Sequence, residues 1–452
     1  MNSPPRQPYL PTLKPDELDD RSIDRENNWR ANKLNVQDRA FHDWYRFVLS
    51  FPPHLVRDYV QDFGLSDHQV ILDPFCGTGT TIVEAKKQGI RGIGVEANPF
   101  PQFACSVKVD WNTDPDALIQ NAREVAEAAR WTLQEQGIDD RWPFRGNVND
   151  LPLRKLDPKA EKLLITNSIS PLPLHKALVL LDCLHEHLGK PTYRHAVLAF
   201  ANALVFSISN LRFGPEVGVG KVKEDTPVIS AWLAEVDKIA GDLRKVHGQL
   251  FPEARIHLDD ARNIGQIVPP GSVDAVITSP PYPNEKDYTR TTRLESVVLG
   301  FIKSSAELRA FKKSLLRSNT RGVYKDDQDD AWIANHGEIQ RIADEIEKRR
   351  VDLGKTSGFE KMYAHVTRQY FGGMARHFAD LRTVLRPGAR LAYVVGDQAS
   401  YLRIMIRTGQ LLAEIAQSLG YEVVRIDLFR TRFATATKEE LREEVVVLRW
   451  PG

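Results

Sequence analysis

The chain has 452 residues, with 61 lysines and arginines against 60 acidic residues and 42% hydrophobic content, enough for one large core with insertions or for two to three modest domains. Charge so close to balance means that any nucleic-acid contact must come from local basic clustering. Three scattered cysteines, Cys76, Cys105 and Cys183, exclude a disulfide framework. With neither a secretory leader nor an apolar run long enough to span a bilayer, the expectation is a reduced, cytoplasmic setting away from membranes.

Residues 1–30 are rich in proline and charge and lack periodicity, which predicts an extended arm. From Phe41 to Phe63 the chain turns aromatic and amphipathic, and Pro52-Pro53 marks a helix start. Val70-Ile71-Leu72 reads as a buried strand, followed by the turn Asp73 to Thr81 and a helical pattern to about Gln88. Gly92 to Val95 gives a second strand ending at Glu96, completing a βαβ half-unit. Residues 111–250 are mostly helical in pattern, with Leu174, Leu178, Leu181 and Leu188 at spacings that share a face. Strand rhythm resumes at Ala254–Leu258 and Val273–Ile277, within a block at 251–302, and a charged helix-rich stretch follows at 303–362. The block at 363–452 then offers a helix around Tyr370–Leu385, a turn at Arg386-Pro387-Gly388, a strand at Leu391–Gly396 and a helix at Leu411–Leu419. Glu422–Ile426 and Val445–Leu448 would pair as a hairpin at the sheet's edge. The predicted fold is α/β: a doubly wound, Rossmann-like sheet drawn from 31–110, 251–302 and 363–452, with a C-terminal antiparallel hairpin and helical insertions at 111–250 and 303–362.

Two segments carry the chemistry. In Asp73-Pro74-Phe75-Cys76-Gly77-Thr78-Gly79-Thr80-Thr81 the glycines let backbone approach a bound cofactor, and the following helix presents free N–H groups. Asp73 stands where it would accept hydrogen bonds from a ligand, and Glu96 where an acid grips ribose hydroxyls. A dinucleotide enzyme is disfavoured because Ile82 occupies the position of the third glycine. Thr278-Ser279-Pro280-Pro281-Tyr282 is the more specific signal, since two prolines after a strand make a stiff loop with carbonyls to spare. An exocyclic base amine is a poor nucleophile because its lone pair is delocalised into the ring. The Ser279 hydroxyl and Pro280 carbonyl are natural acceptors for its hydrogens, and Tyr282 would stack on the extruded base. No Pro-Cys dipeptide occurs, which argues against attack through a cysteine, and Cys76 reads as a packing residue.

The first segment resembles motif I, and the second the catalytic motif IV, of the S-adenosylmethionine-dependent amino-methyltransferases. The resemblance extends to Phe51-Pro52-Pro53-His54-Leu55-Val56, similar to motif X, and Asp260-Ala261-Arg262, similar to motif III, where Asp259 replaces the usual glycine and leaves open which acid reaches the adenine amine. It implies that Phe51, Pro52, Asp73, Phe75, Gly77, Gly79, Thr80, Thr81, Glu96 and Asp260 hold S-adenosylmethionine. Ser279, Pro280, Pro281 and Tyr282 would then act on the target. Serine at the head of motif IV, with Thr289–Glu295 and Arg442–Leu448, is similar to bacterial cytosine-N4 DNA methyltransferases, with adenine N6 as the near alternative. The implied partners are double-stranded DNA with a flipped base and a cognate restriction endonuclease or defence complex.

Lys312, Lys313, Arg317 and Arg321 form a candidate DNA-binding cluster in the second insertion, although neighbouring acids such as Asp326 and Asp327 fit a solvated helix face equally well. Gly218-Val219-Gly220-Lys221 lacks the residues of a phosphate loop. Cys183, His185 and His187 alternate along a helical pattern, and so point away from a shared metal; no metal site is expected.

Overall fold

The structure is a computed structural model, and it describes residues 34–46, 50–214, 217–284, 286–434 and 439–452; the arm at 1–30 lies outside them. Seven strands, β1 (Val70–Asp73), β2 (Arg91–Glu96), β3 (Ala254–Leu258), β4 (Val273–Thr278), β5 (Leu385–Gly396), β6 (Glu422–Ala434) and β7 (Glu439–Arg449), form one sheet in the order β3-β2-β1-β4-β5-β7-β6. Strands β1 to β5 pair in parallel, and β7 runs antiparallel to both of its neighbours. The expected hairpin is there, but its returning strand wedges beside β5 and leaves β6 as the edge. The strand order reverses between β1 and β4, and the crevice outside the carboxyl ends of strands at such a reversal is where α/β sheets bind ligands.

Both faces of the sheet are covered, which is why β1 is buried at every position. On one side Ile71, Ala275, Ile277, Ala392 and Val394 pack with Leu55, Val56 and Tyr59 of α1 (Pro53–Asp62) and Ala85 of α2 (Thr80–Lys87). Their immediate neighbours Leu72, Val276, Leu391, Tyr393 and Val395 point the other way, following the period of two along a strand.

The first insertion is helical, its longer helices being Pro115–Glu135, Pro171–His185, Tyr193–Ala203 and Val228–Val246. It does not fold apart, since Leu118, Leu180 and Trp232 share one cluster with Ile82, Val83 and Phe100 of the cofactor half. The helix predicted around Leu174–Leu188 stops at His185, and Leu188 lies beyond it, exposed. In the second insertion, Ser305–Ser314 buries no residue, whereas Gly337–Asp352 buries Ile339, Ile342, Ala343 and Ile346 against the helix Tyr363–Leu381.

Arg386-Pro387-Gly388 is a bulge inside β5, where a turn was expected: Leu385 already pairs with Val273, the register slips, and Arg390 pairs with Ala275. Proline lacks a ladder donor and is tolerated at such a bulge, and the Gly388 N–H finds the Trp450 carbonyl at 2.7 Å. Among the described residues no helix is long and apolar enough to cross a membrane.

Candidate active site

The turn after β1 separates two glycines that look equivalent in sequence. Both are left-handed, Gly77 at φ +51° and Gly79 at φ +90°, a region that favours glycine. A Cβ on Gly77 would meet nothing within 4 Å, whereas one on Gly79 would lie 2.5 Å from Cys105 Sγ. Gly77 therefore keeps a ligand-facing surface open, and Gly79, expected to do the same, instead lets the turn sit on the helix Pro99–Lys108.

Asp73 is fully buried below this turn. Its Oδ1 accepts from the Thr278 hydroxyl at 2.6 Å and from the Phe75 N–H at 3.1 Å, and its Oδ2 has no partner. Burial raises its pKa to about 6. Asp73 thus ties the ends of β1 and β4 together and does not line the cavity. Thr81 likewise donates to the Ile277 carbonyl at 3.0 Å, fastening α2 to β4, and Pro52 caps α1 behind the wall. These three supports were expected at the ligand surface.

Glu96, Phe75, Thr80, Phe51 and Asp260 do line the cavity. Glu96 accepts the Gly77 N–H at 2.9 Å and the Asn98 N–H at 2.7 Å, so one carboxylate sets both the turn and the end of β2. Burial raises its pKa to about 7. Of the two candidate acids at motif III, Asp260 reaches the wall, while Asp259 accepts the Asp260 N–H at 2.7 Å. Asp260 is held in turn by Arg262 at 2.6 Å. His377 anchors this segment by bonding the Ala261 carbonyl at 2.7 Å and the Tyr393 hydroxyl at 2.6 Å, with its ring edge-on to Phe75 at 5.0 Å.

On the opposite wall β4 ends in Ser279-Pro280-Pro281-Tyr282. The Ser279 hydroxyl donates to the Val394 carbonyl at 3.0 Å. With its hydrogen directed into the sheet, the oxygen has lone pairs left to accept from an incoming donor. The Tyr282 ring stands against Gly396, where a Cβ would lie 3.2 Å from the ring and 3.3 Å from Glu443. Burial pushes the Tyr282 phenol up, keeping it neutral.

A single cavity of about 680 Å³ is bounded by Gly77 and Glu96 on one side and Ser279 to Tyr282 on the other, within the size range of small-molecule sites. Its far wall went unread in the sequence: Asn284, Tyr288, Asn319, Gln398, Arg430 and Arg432 also line it. Tyr401 assembles part of that wall, its hydroxyl 3.0 Å from the Asn284 carbonyl and 3.2 Å from that of Ser318. The one sequence signal for these residues was their polar type, with the amides Asn284, Asn319 and Gln398 in connecting segments and the arginines on β6.

The four basic residues assigned to DNA do not make one patch. Arg317 is buried and forms two 2.8 Å bonds to Asp327, which makes it a support of the loop and removes it from the phosphate-contact set. Lys312 lies inside the cavity, paired with Asp287 at 2.7 Å. Lys313 and Arg321 are at the surface, the first paired with Asp326 at 3.0 Å and the second over the Phe359 ring at 5.7 Å.

What the two walls can share is a methyl group. The open side of Gly77, the Glu96 carboxylate and the unpartnered Oδ1 of Asn98 suit the polar, nucleoside-bearing donor S-adenosylmethionine, and the acceptor corner suits an amine. The protein is therefore of the class of S-adenosylmethionine-dependent methyltransferases. Residues 6–101 match the family model described as DNA methylase. The Type II methyltransferase M.BsoBI of Geobacillus stearothermophilus is 25% identical, covering 93% of this chain and 86% of its own. M.AvaI of Nostoc sp., also a Type II methyltransferase, is 23% identical, covering 94% and 88%. A tRNA (guanine(10)-N2)-dimethyltransferase of Methanothermobacter thermautotrophicus is 31% identical, but over 25% of this chain and 26% of its own.

Proposed function

We propose that this protein methylates the exocyclic amine of a base in DNA, N4 of cytosine ahead of N6 of adenine, as the modification enzyme of a restriction or defence system. The observation that carries the reading is the single cavity reaching from Gly77 to Tyr282. When bound, S-adenosylmethionine supplies an electrophilic sulfonium methyl. The chain's own residues do the rest by orientation. Ser279 Oγ, its hydrogen already committed to Val394, accepts one amine hydrogen, and the Pro280 carbonyl accepts the other. Both acceptors favour the positive charge that develops on nitrogen. Tyr282 stacks on the base once it has been rotated out of the duplex. A neutral hydroxyl at this position, where adenine enzymes more often carry aspartate, supports cytosine.

Similarity along nearly the whole chain to two Type II methyltransferases supports DNA as substrate and a restriction partner. The tRNA enzyme, alike over a quarter of the chain, supports an RNA amine as the second reading. In the first reading, blocks 31–110, 251–302 and 363–452 form the catalytic core, and 303–362 reads sequence with help from 111–250.

Long-read sequencing of DNA from cells expressing the protein tests this directly. A modified base at a fixed motif is expected, absent with Ser279→Ala, whose kcat should fall by roughly 10²-fold or more, as with loss of one preorganised polar group. Unmodified DNA together with a methylated RNA amine would overturn the reading in favour of the second.

A further inference from the structure

The cavity face of the C-terminal hairpin carries more positive charge than it neutralises. Arg430 grips Glu443 through two bonds, at 2.5 and 2.9 Å. Arg432, two residues on and hence on the same face, brings Nε within 2.8 Å of the same carboxylate, yet out of line for a hydrogen bond. Among the described residues of this face, two guanidiniums therefore share one carboxylate, leaving one positive charge in excess. The Arg432 side chain is 41% exposed, against 17% for Arg430. All three residues line the same cavity as Ser279 and Tyr282, and Glu443 and the Tyr282 ring both pack on Gly396. The excess charge thus lies beside the ring on which a base would stack.

We infer that Arg432, steadied by Glu443 and Arg430, binds the phosphodiester next to the flipped nucleotide. The inference rests on the reading above, that a nucleic-acid base enters at Tyr282, and adds where its backbone is held. A guanidinium suits a phosphate oxygen pair. A carboxylate already shared between two arginines orients them while cancelling only one of their two charges. The cluster lies on a strand pair hydrogen-bonded to the central sheet, so the phosphate contact and the stacking contact are set on one rigid frame.

The test compares full-length wild type with Arg432→Gln and Arg432→Lys, using a mixed-sequence DNA duplex that carries one cytosine opposite an abasic position. The dissociation constant is followed against salt concentration. Loss of one phosphate contact should lower the slope of log K against log salt by about 0.9 and weaken binding by roughly eightfold at about 0.1 M salt. Arg432→Lys should keep most of the slope. Affinity for S-adenosylmethionine without DNA should not change in either variant. An unchanged slope in Arg432→Gln overturns the inference while leaving the methyltransferase reading intact. Lost cofactor affinity at an unchanged melting temperature also overturns it, because the cluster would then serve the cofactor's carboxylate. Failure of wild type to bind the duplex at any salt concentration would sink the DNA reading itself, and this inference with it.

Discussion

The two walls of the cavity are built in different ways. The Gly77 wall is centred on a contiguous strand, turn and helix, with Gly77 tied to the end of the neighbouring strand by one carboxylate, Glu96, and with Phe51 and Asp260 joining it from elsewhere in the chain. The substrate wall gathers Asn284, Lys312, Asn319, Gln398 and Arg430 from segments scattered over about a third of the chain. It is held by buried staples such as Tyr401 and the Arg317–Asp327 pair. A local wall tolerates the loss of distant contacts, whereas a gathered wall depends on them.

The sharpest way to break this contrast is Arg317→Ala. Removing one partner of a buried ion pair costs about 3–5 kcal/mol, so thermal unfolding should shift strongly. At a temperature where the variant is still folded, cofactor affinity should remain close to wild type while methylation falls. Equal loss of both would mean that the walls are not separable.

Within the Gly77 wall, Gly79→Ala should cost about 1–3 kcal/mol through its clash with Cys105, in addition to the left-handed strain. Gly77→Ala carries about 1–2 kcal/mol of strain alone, but should weaken S-adenosylmethionine binding more. Calorimetry and melting on both variants would separate the two glycines, and identical profiles would refute the distinction.

Asp73 gives a pH signature. Its pKa is about 6 when folded against about 3.9 unfolded. The folded state is therefore the tighter proton binder, and the stability this contributes is full below about pH 4 and lost as pH rises through 6. Asp73→Asn, uncharged throughout, should gain on wild type between about pH 5 and pH 8, by up to ~3 kcal/mol. A melting-temperature difference that stays flat with pH would contradict this. The smallest effect belongs to Lys313→Ala, whose exposed pair with Asp326 is worth under about 1 kcal/mol; its melting temperature should hardly move.

Sequence alone determined the parts whose cause is local. The β1 turn, the Ser279 to Tyr282 corner, Glu96 at the end of β2 and the start of α1 at Pro53 each follow from residue type and spacing within a few positions. The same locality made Gly77 and Gly79 look alike, and placed Asp73, Thr81 and Pro52 at the ligand surface, because sequence shows which backbone is special but not which side faces a neighbour. Only tertiary structure decided that β7 enters the sheet ahead of β6, that Arg386 to Gly388 bulges within a strand, and that the first insertion shares a core with α2. Each of these depends on which apolar face finds which partner among segments tens of residues or more apart in the chain. Tertiary structure likewise withdrew Arg317 into the interior and carried Arg432 to the side of Tyr282, since a guanidinium's role is set by the carboxylate it meets, and chain position does not reveal that partner.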